Sequence, residues 1–188
     1  MVNPKPAFKA EKPSGADLKT VAAQLGREPR DVSAIAHRCP CGEADVVQTM
    51  ELLRKIQPHQ IYCAGDLADP HGTHKVCLDV VFESMRRLKA AGDAWVKDCW
   101  VWLYKGAWQE WDIADIEMAI PMSPDQVIKK RFGIFIHQSQ KDSVPFQGSD
   151  MREFWQRAET RNANTAQLYA ALGQTKYAAI EAFVRWHY

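Results

Sequence analysis

No window of this sequence approaches the apolar length that spans a bilayer, so a membrane-crossing helix is excluded. The N-terminal stretch "MVNPKPAFKAEKPSG" also lacks the apolar core of an export signal, and the chain is expected in the cytoplasm. An excess of one charge is missing too. The 24 basic and 23 acidic residues leave a net +1, which excludes the electrostatic footprint that draws a protein to nucleic acid or anionic lipid. Five cysteines, an odd number with no CxxC pair, fit reduced thiols better than a disulfide framework. There is no internal repeat.

What is present suits one α/β domain with an appendage, since 188 residues at 46% hydrophobic content can bury a core. Residues 1–15 are rich in proline and lysine and poor in large apolar groups, the composition of a disordered tail. Asp17 to Gly26 has an aspartate cap, apolar residues at 18, 21, 22 and 25, and a glycine stop, which predicts a short amphipathic helix. Helical spacing returns from Glu43 to Ile56 and ends before Pro58. "QIYCAG" reads as a strand covered on both faces and closed by Gly65. A helix follows over about Thr73 to Ala91, with Cys77, Val80, Val81, Ser84 and Leu88 turned to the core and Gly92 as its stop. "CWVWLY" at 99–104 and "IEMAI" at 116–120 predict two more strands. Ser123 as cap, Pro124 at the first helical position and Asp125 in the first turn predict a helix through about His137. The remainder to Tyr188 is expected to supply two further helices, so strands alternating with helices imply a parallel or mixed sheet.

The segment "ADPHGTHKVC" sets His71 and His74 three apart where a strand hands over to a helix. In an open α/β sheet that place lies in the crevice where ligands collect, beside helical N–H groups that disfavour imidazolium. The two side chains are either metal ligands awaiting partners or ordinary polar residues of a loop or capped helix. A catalytic zinc takes three protein ligands, so the pair alone does not decide. His37, Cys39 and Cys41 form a CxC pattern without a second CxxC, which favours plain thiols in a turn. Cys63, Cys77 and Cys99 sit at apolar positions where a thiol acts as a small hydrophobe.

"PHQIYCAGDLADPHGTHKVCLDVV", "DCWVWLYKGAWQEW", "IEMAIPMSPDQVIKKR", "IHQSQ", "FWQRAE" and "EAFVRWH" together resemble the LmbE/PIG-L-like module at the C-terminus of some bacterial glucosamine-6-phosphate deaminase-like proteins. The resemblance covers about residues 42–188. It implies a Rossmann-like zinc hydrolase that removes acetyl groups from an amino sugar such as N-acetylglucosamine or its phosphate. It further implies His74 as a zinc ligand and His71 as the histidine that stabilises the oxyanion or acts as acid. The sequence has HGTH where the family has HPDH, so Gly72 and Thr73 are departures. The family's remaining ligands and base lie in an HPDD motif that occurs nowhere in these 188 residues.

The resemblance therefore implies a partial Rossmann-like (LmbE-type) sheet with flanking helices, an incomplete zinc site and little deacetylase activity for this chain alone. Residues 17–49 resemble instead an uncharacterised bacterial family with an AHRCPCG segment, so residues 1–41 and 42–188 are expected to have separate origins. For an amino-sugar substrate, Trp108 and Trp111 are candidates for a pocket rim, while Trp100 or Trp102 is expected in the core. Among Arg152, Arg157 and Arg161, Arg157 is the candidate sugar-phosphate contact, although Glu153 and Glu159 make all three ordinary surface pairs as well. His137 and Gln140 match the family's HxSQ segment, and a structural cap is the favoured reading. A sheet without its first strand has an open edge, so self-association into a homo-oligomer is expected. The competing function is a non-catalytic α/β docking domain with idle histidines.

Overall fold

The computed structural model describes residues 42–65, 73–106, 109–137 and 150–188. The expected tail, the helix at Asp17–Gly26 and the cluster of His37, Cys39 and Cys41 lie outside these residues. Helix α1 (Glu43–Ile56) opens where the Gly42 N–H donates to the Asp45 carboxylate at 2.9 Å. It closes at Gln57, which turns left-handed (φ 48°) just before Pro58 removes the next donor. Strand β1 (Gln60–Ala64) leads to helix α2 (Thr73–Ala90), and Gly92 takes the positive φ of 81° that a side chain would resist. A 3-10 turn over Ala94–Asp98 feeds strand β2 (Trp100–Tyr104). Strand β3 (Met118–Met122) begins two residues later than the sequence pattern suggests and runs into helix α3 (Pro124–Ile136), capped by Ser123 as expected. Helix α4 (Phe154–Ala171) and strand β4 (Ala179–Trp186) complete the described fold.

The C-terminal segment corrects the expectation of a final helix. Within "AIEAFVRW", Ile180, Ala182, Val184 and Trp186 alternate with Glu181, Phe183 and Arg185, and both strand edges are paired. An eight-residue segment rich in branched and aromatic residues suits a central strand, and its helix-like spacing is incidental.

The four strands lie in the order β1-β2-β4-β3. β1 and β2 are parallel, and β4 runs antiparallel to β2 and to β3. The sheet is thus mixed. Side chains paired across it share a face, so Tyr62, Trp102 and Arg185 stand on one side and Ile61, Val101 and Trp186 on the other. The second face carries the main core. Met85, Leu88, Val96, Cys99 and Val101 are fully or nearly buried there, joined by Ile61, Leu103, Trp186 and α1's Met50 and Leu53. Phe82 stacks on Trp186 at 3.7 Å between ring centres, and the Ser84 hydroxyl donates to the Val46 carbonyl, locking α1 onto α2. Arg87 binds Glu43 across the same helix pair, and Arg54 binds Asp93 in the turn that follows α2.

Two local expectations change with this packing. β1 is an edge strand with an exposed Tyr62, so it is not covered on both faces. Cys77 is exposed, and α2 buries Leu78, Ser84, Met85 and Leu88 instead. Cys77, seven before Ser84, has nearly the same bearing round the helix, so its exposure follows from its place near the helix start, where the buried residue is its neighbour Leu78. Among the described residues no helix is long and apolar enough to cross a membrane.

Candidate functional site

The parallel pair β1–β2 has its carboxyl ends at Ala64 and Tyr104, where the Gly65 N–H donates to the Tyr104 carbonyl at 2.7 Å. In open α/β sheets ligands collect outside the carboxyl ends of the parallel strands, so this end of the β1–β2 pair is the candidate crevice. His74 stands in the first turn of α2, exposed, on the helix that follows β1. That turn holds no acidic residue, so its partial positive charge is not offset from within the helix. His71 lies outside the described residues. Among the described residues no group of three His, Cys, Asp or Glu side chains could hold a metal ion.

Trp111 reaches the same end of the sheet. Its indole N–H donates to the Leu103 carbonyl at 3.1 Å, and the Lys105 ammonium lies 4.3 Å above its ring. Gly65 is what permits this approach: a Cβ there would sit 2.8 Å from the Leu103 Cβ and 3.0 Å from the Trp111 ring. The half-buried indole therefore borders the point at which the chain leaves β1 toward the histidines. Its proposed companion Trp108 lies outside the described residues. Trp102 is buried, as expected for one of the β2 tryptophans, and Trp100 is exposed.

Arg157 is buried, and its guanidinium donates to the carbonyls of Asp150 (2.8 Å) and Arg152 (3.2 Å). It thereby ties down the segment that enters α4. Arg152 pairs with Asp150, whose carboxyl it holds far below the usual range, and Glu159 pairs with Arg131. Arg161 is not the surface residue its helix spacing suggests. It is buried between Glu110 at 2.9 Å and Glu181 at 2.6 Å. Lys130 adds bonds to Glu181 and to the Asn162 side chain, and the Thr165 hydroxyl donates to Glu110.

This neutral quartet of two cations and two carboxylates lies past the carboxyl end of β2. Tyr104 pairs with Phe183, so the Ala179–Ala182 half of β4 runs on beyond it. Burial raises the Glu110 carboxyl above its usual value, against the opposing pull of Arg161. Burial acts on Glu181 as well, but Arg161 and Lys130 together outweigh it and hold that carboxyl low. Sequence spacing carries no signal for the quartet, since Arg161 and Glu110 are 51 residues apart.

The remaining candidates are structural where they are described. The His137 N–H closes the last turn of α3 on the Ile134 carbonyl at 3.0 Å, and Gln140 lies outside the described residues. Burial pushes the Cys63 thiol up to about 11, so it stays protonated near neutrality, and Cys99 is raised for the same reason.

No family model matches the chain. In solved structures, the crystal structure of GalB, the 4-carboxy-2-hydroxymuconate hydratase of Pseudomonas putida KT2440, superimposes with a TM-score of 0.54 at 14% identity, over 90% of this chain and 69% of that one. At that identity the likeness concerns the fold alone. In sequence, 147 residues are 56% identical to a Bacteroides thetaiotaomicron protein described as glucosamine-6-phosphate deaminase-like, a match over 78% of this chain. The chain spans only 22% of that relative's length, and it is a homologue of that segment with a mixed α/β fold.

Proposed function

We propose that this chain is one part of an amino-sugar-processing module of hydrolase type, with its crevice at the carboxyl ends of β1 and β2. The carrying observation is the 56% identity over 147 residues to a protein whose description names an amino-sugar phosphate. The finer reading is removal of the acetyl group from N-acetylglucosamine or its phosphate. Support for it comes from the paired histidines, which follow β1 in the sequence, and from Trp111 at the carboxyl ends of β1 and β2. In this reading His71 donates a hydrogen bond to the oxyanion or transfers its proton, and Trp108 and Trp111 stack on the apolar face of the sugar. Arg157 contributes by holding the 150–152 segment, on which a phosphate contact would depend.

Zinc is the metal this chemistry calls for, and His74 is its ligand in this chain. One imidazole does not make a catalytic zinc site, which takes three protein donors. The donor set of the described residues therefore falls short, and the reading requires ligands from chain beyond them.

Equilibrium dialysis with zinc, combined with acetate release from N-acetylglucosamine and its 6-phosphate, tests the reading. The purified chain should take up zinc weakly, lose that uptake in His74→Ala, and release acetate only at background rate. Robust zinc-dependent turnover by the chain alone would refute its incompleteness. Zinc uptake indifferent to His74→Ala would remove the catalytic reading and leave the docking domain, which the exposed aromatic face of the sheet favours.

A further inference from the structure

We infer that Lys105, standing over Trp111 at the carboxyl end of β2, is a specificity-determining residue of the crevice: it selects a sugar that carries a phosphate over the same sugar without one. This rests on the reading that the crevice takes an amino sugar, and it names the charged form taken and the side chain that recognises it.

Trp111 is a fixed platform. Its indole N–H donates to the Leu103 carbonyl at 3.1 Å, and the Cζ2–Cη2 edge of its ring lies in the space that Gly65 leaves open. Its backbone is fixed as well. The Trp111 N–H donates to one oxygen of the Glu110 carboxylate at 2.9 Å, while the other oxygen accepts from Arg161 at 2.9 Å and from the Thr165 hydroxyl at 3.1 Å. The buried quartet thus anchors, from α4, the residue next to the platform. A half-buried indole held at this many points offers its face to an apolar sugar surface with little ordering left to do on binding.

The Lys105 ammonium stands 4.3 Å from the centre of that ring, and among the described residues it has no carboxylate partner. Carboxylates close to it in the chain are committed elsewhere: Glu110 to Arg161 and Thr165, and Asp112 to the Ala114 N–H at 3.0 Å. The arginines that the sequence offers for a phosphate are spent as well. Arg157 donates to the carbonyls of Asp150 and Arg152, Arg152 pairs with Asp150, and Arg161 is divided between Glu110 and Glu181. Lys105 is held by its ring alone, a weak attraction on a half-buried side chain. A neutral sugar that stacks on this face displaces the ammonium and returns nothing for the lost contact. A phosphorylated sugar gives the displaced ammonium a charge-assisted hydrogen bond while its ring takes the indole face. Because ammonium and indole lie side by side, the ligand must carry its anion next to the ring that stacks.

The test titrates the full chain, without zinc and at one ionic strength, with N-acetylglucosamine, N-acetylglucosamine 6-phosphate and inorganic phosphate, following indole emission. The phosphorylated sugar should bind about tenfold more tightly than the neutral one, and inorganic phosphate should leave the emission unchanged. Lys105→Met should weaken the phosphorylated sugar about tenfold without weakening the neutral one, so that the preference disappears, whereas Lys105→Arg should keep it. Trp111→Phe should remove the emission change. Lys176→Ala, in the loop between α4 and β4, should alter nothing. The inference fails if the wild type binds the two sugars alike, or if Lys105→Met retains the preference, and either result leaves the amino-sugar reading standing. It fails also if inorganic phosphate reproduces the response, since the site then recognises an anion and no sugar. Absence of binding by both sugars at millimolar concentration removes the inference and the amino-sugar reading together.

Discussion

At the level of single residues, two positions decide the shape of the candidate crevice. Gly65 has no side chain because Leu103 and Trp111 occupy the space where one would start. Gly65→Ala should therefore destabilise the fold by about 1–3 kcal/mol, the usual cost of overpacking. Urea denaturation would measure the loss, and a shift in indole emission would report the displaced Trp111. Arg161 is the second. Its removal leaves the half-buried Glu110 without its cation while Lys130 still holds Glu181, so Arg161→Ala should cost about 1–3 kcal/mol. The quartet also predicts acid sensitivity. Glu181 has a folded-state value below its unfolded one, so its contribution is complete above the unfolded carboxylate range and is lost as pH falls through the folded value. Glu110 is shifted upward and has the opposite sign: its protonated form is favoured on folding, so its contribution is lost as pH rises through its folded value. Denaturation curves between pH 3 and 7 should show an acid-side decline in the wild type that Glu181→Gln flattens. An unchanged decline in that variant would place the acid sensitivity elsewhere.

Among the elements, those with strong local signals formed as their residues suggest. The Ser123 hydroxyl oxygen accepts from the Gln126 N–H at 3.3 Å and the Ser123 N–H donates to the Gln126 side-chain oxygen at 2.8 Å, closing a capping box ahead of α3. Ser123→Ala should cost about 0.5–2 kcal/mol in thermal or chemical unfolding, with the fold otherwise retained. α1 and α2 were legible in the same way, through their apolar stripes and through the breaks at Pro58 and Gly92. β4 was not, because Ile180, Ala182 and Phe183 sit at spacings that serve a helix nearly as well as a strand. Its state is set by β2 and β3, which pair with both of its edges. The same kind of distant pairing makes β1 an edge strand with Tyr62 exposed, although its apolar run reads as a covered one.

For the whole molecule, the arrangement of partners matters more than any one element. The strand order β1-β2-β4-β3 leaves one face filled by α1 and α2, and it leaves the Tyr62 side open at β1. Trp111 stood out in the sequence as an aromatic residue of the loop between strands, and the structure brings it to the sheet end at which β1 and β2 finish. The role of Arg161 was illegible. Its partners come from a loop and from β4, and its nearer helical neighbour Glu159 is taken by Arg131. Local chemistry along the chain determined where helices start and stop, which strands are apolar, and that paired histidines follow a strand. Only the tertiary structure decided which strand is central, which charges are buried and which sheet face is open. Those properties depend on contacts between residues tens of positions apart, and no short-range periodicity encodes them.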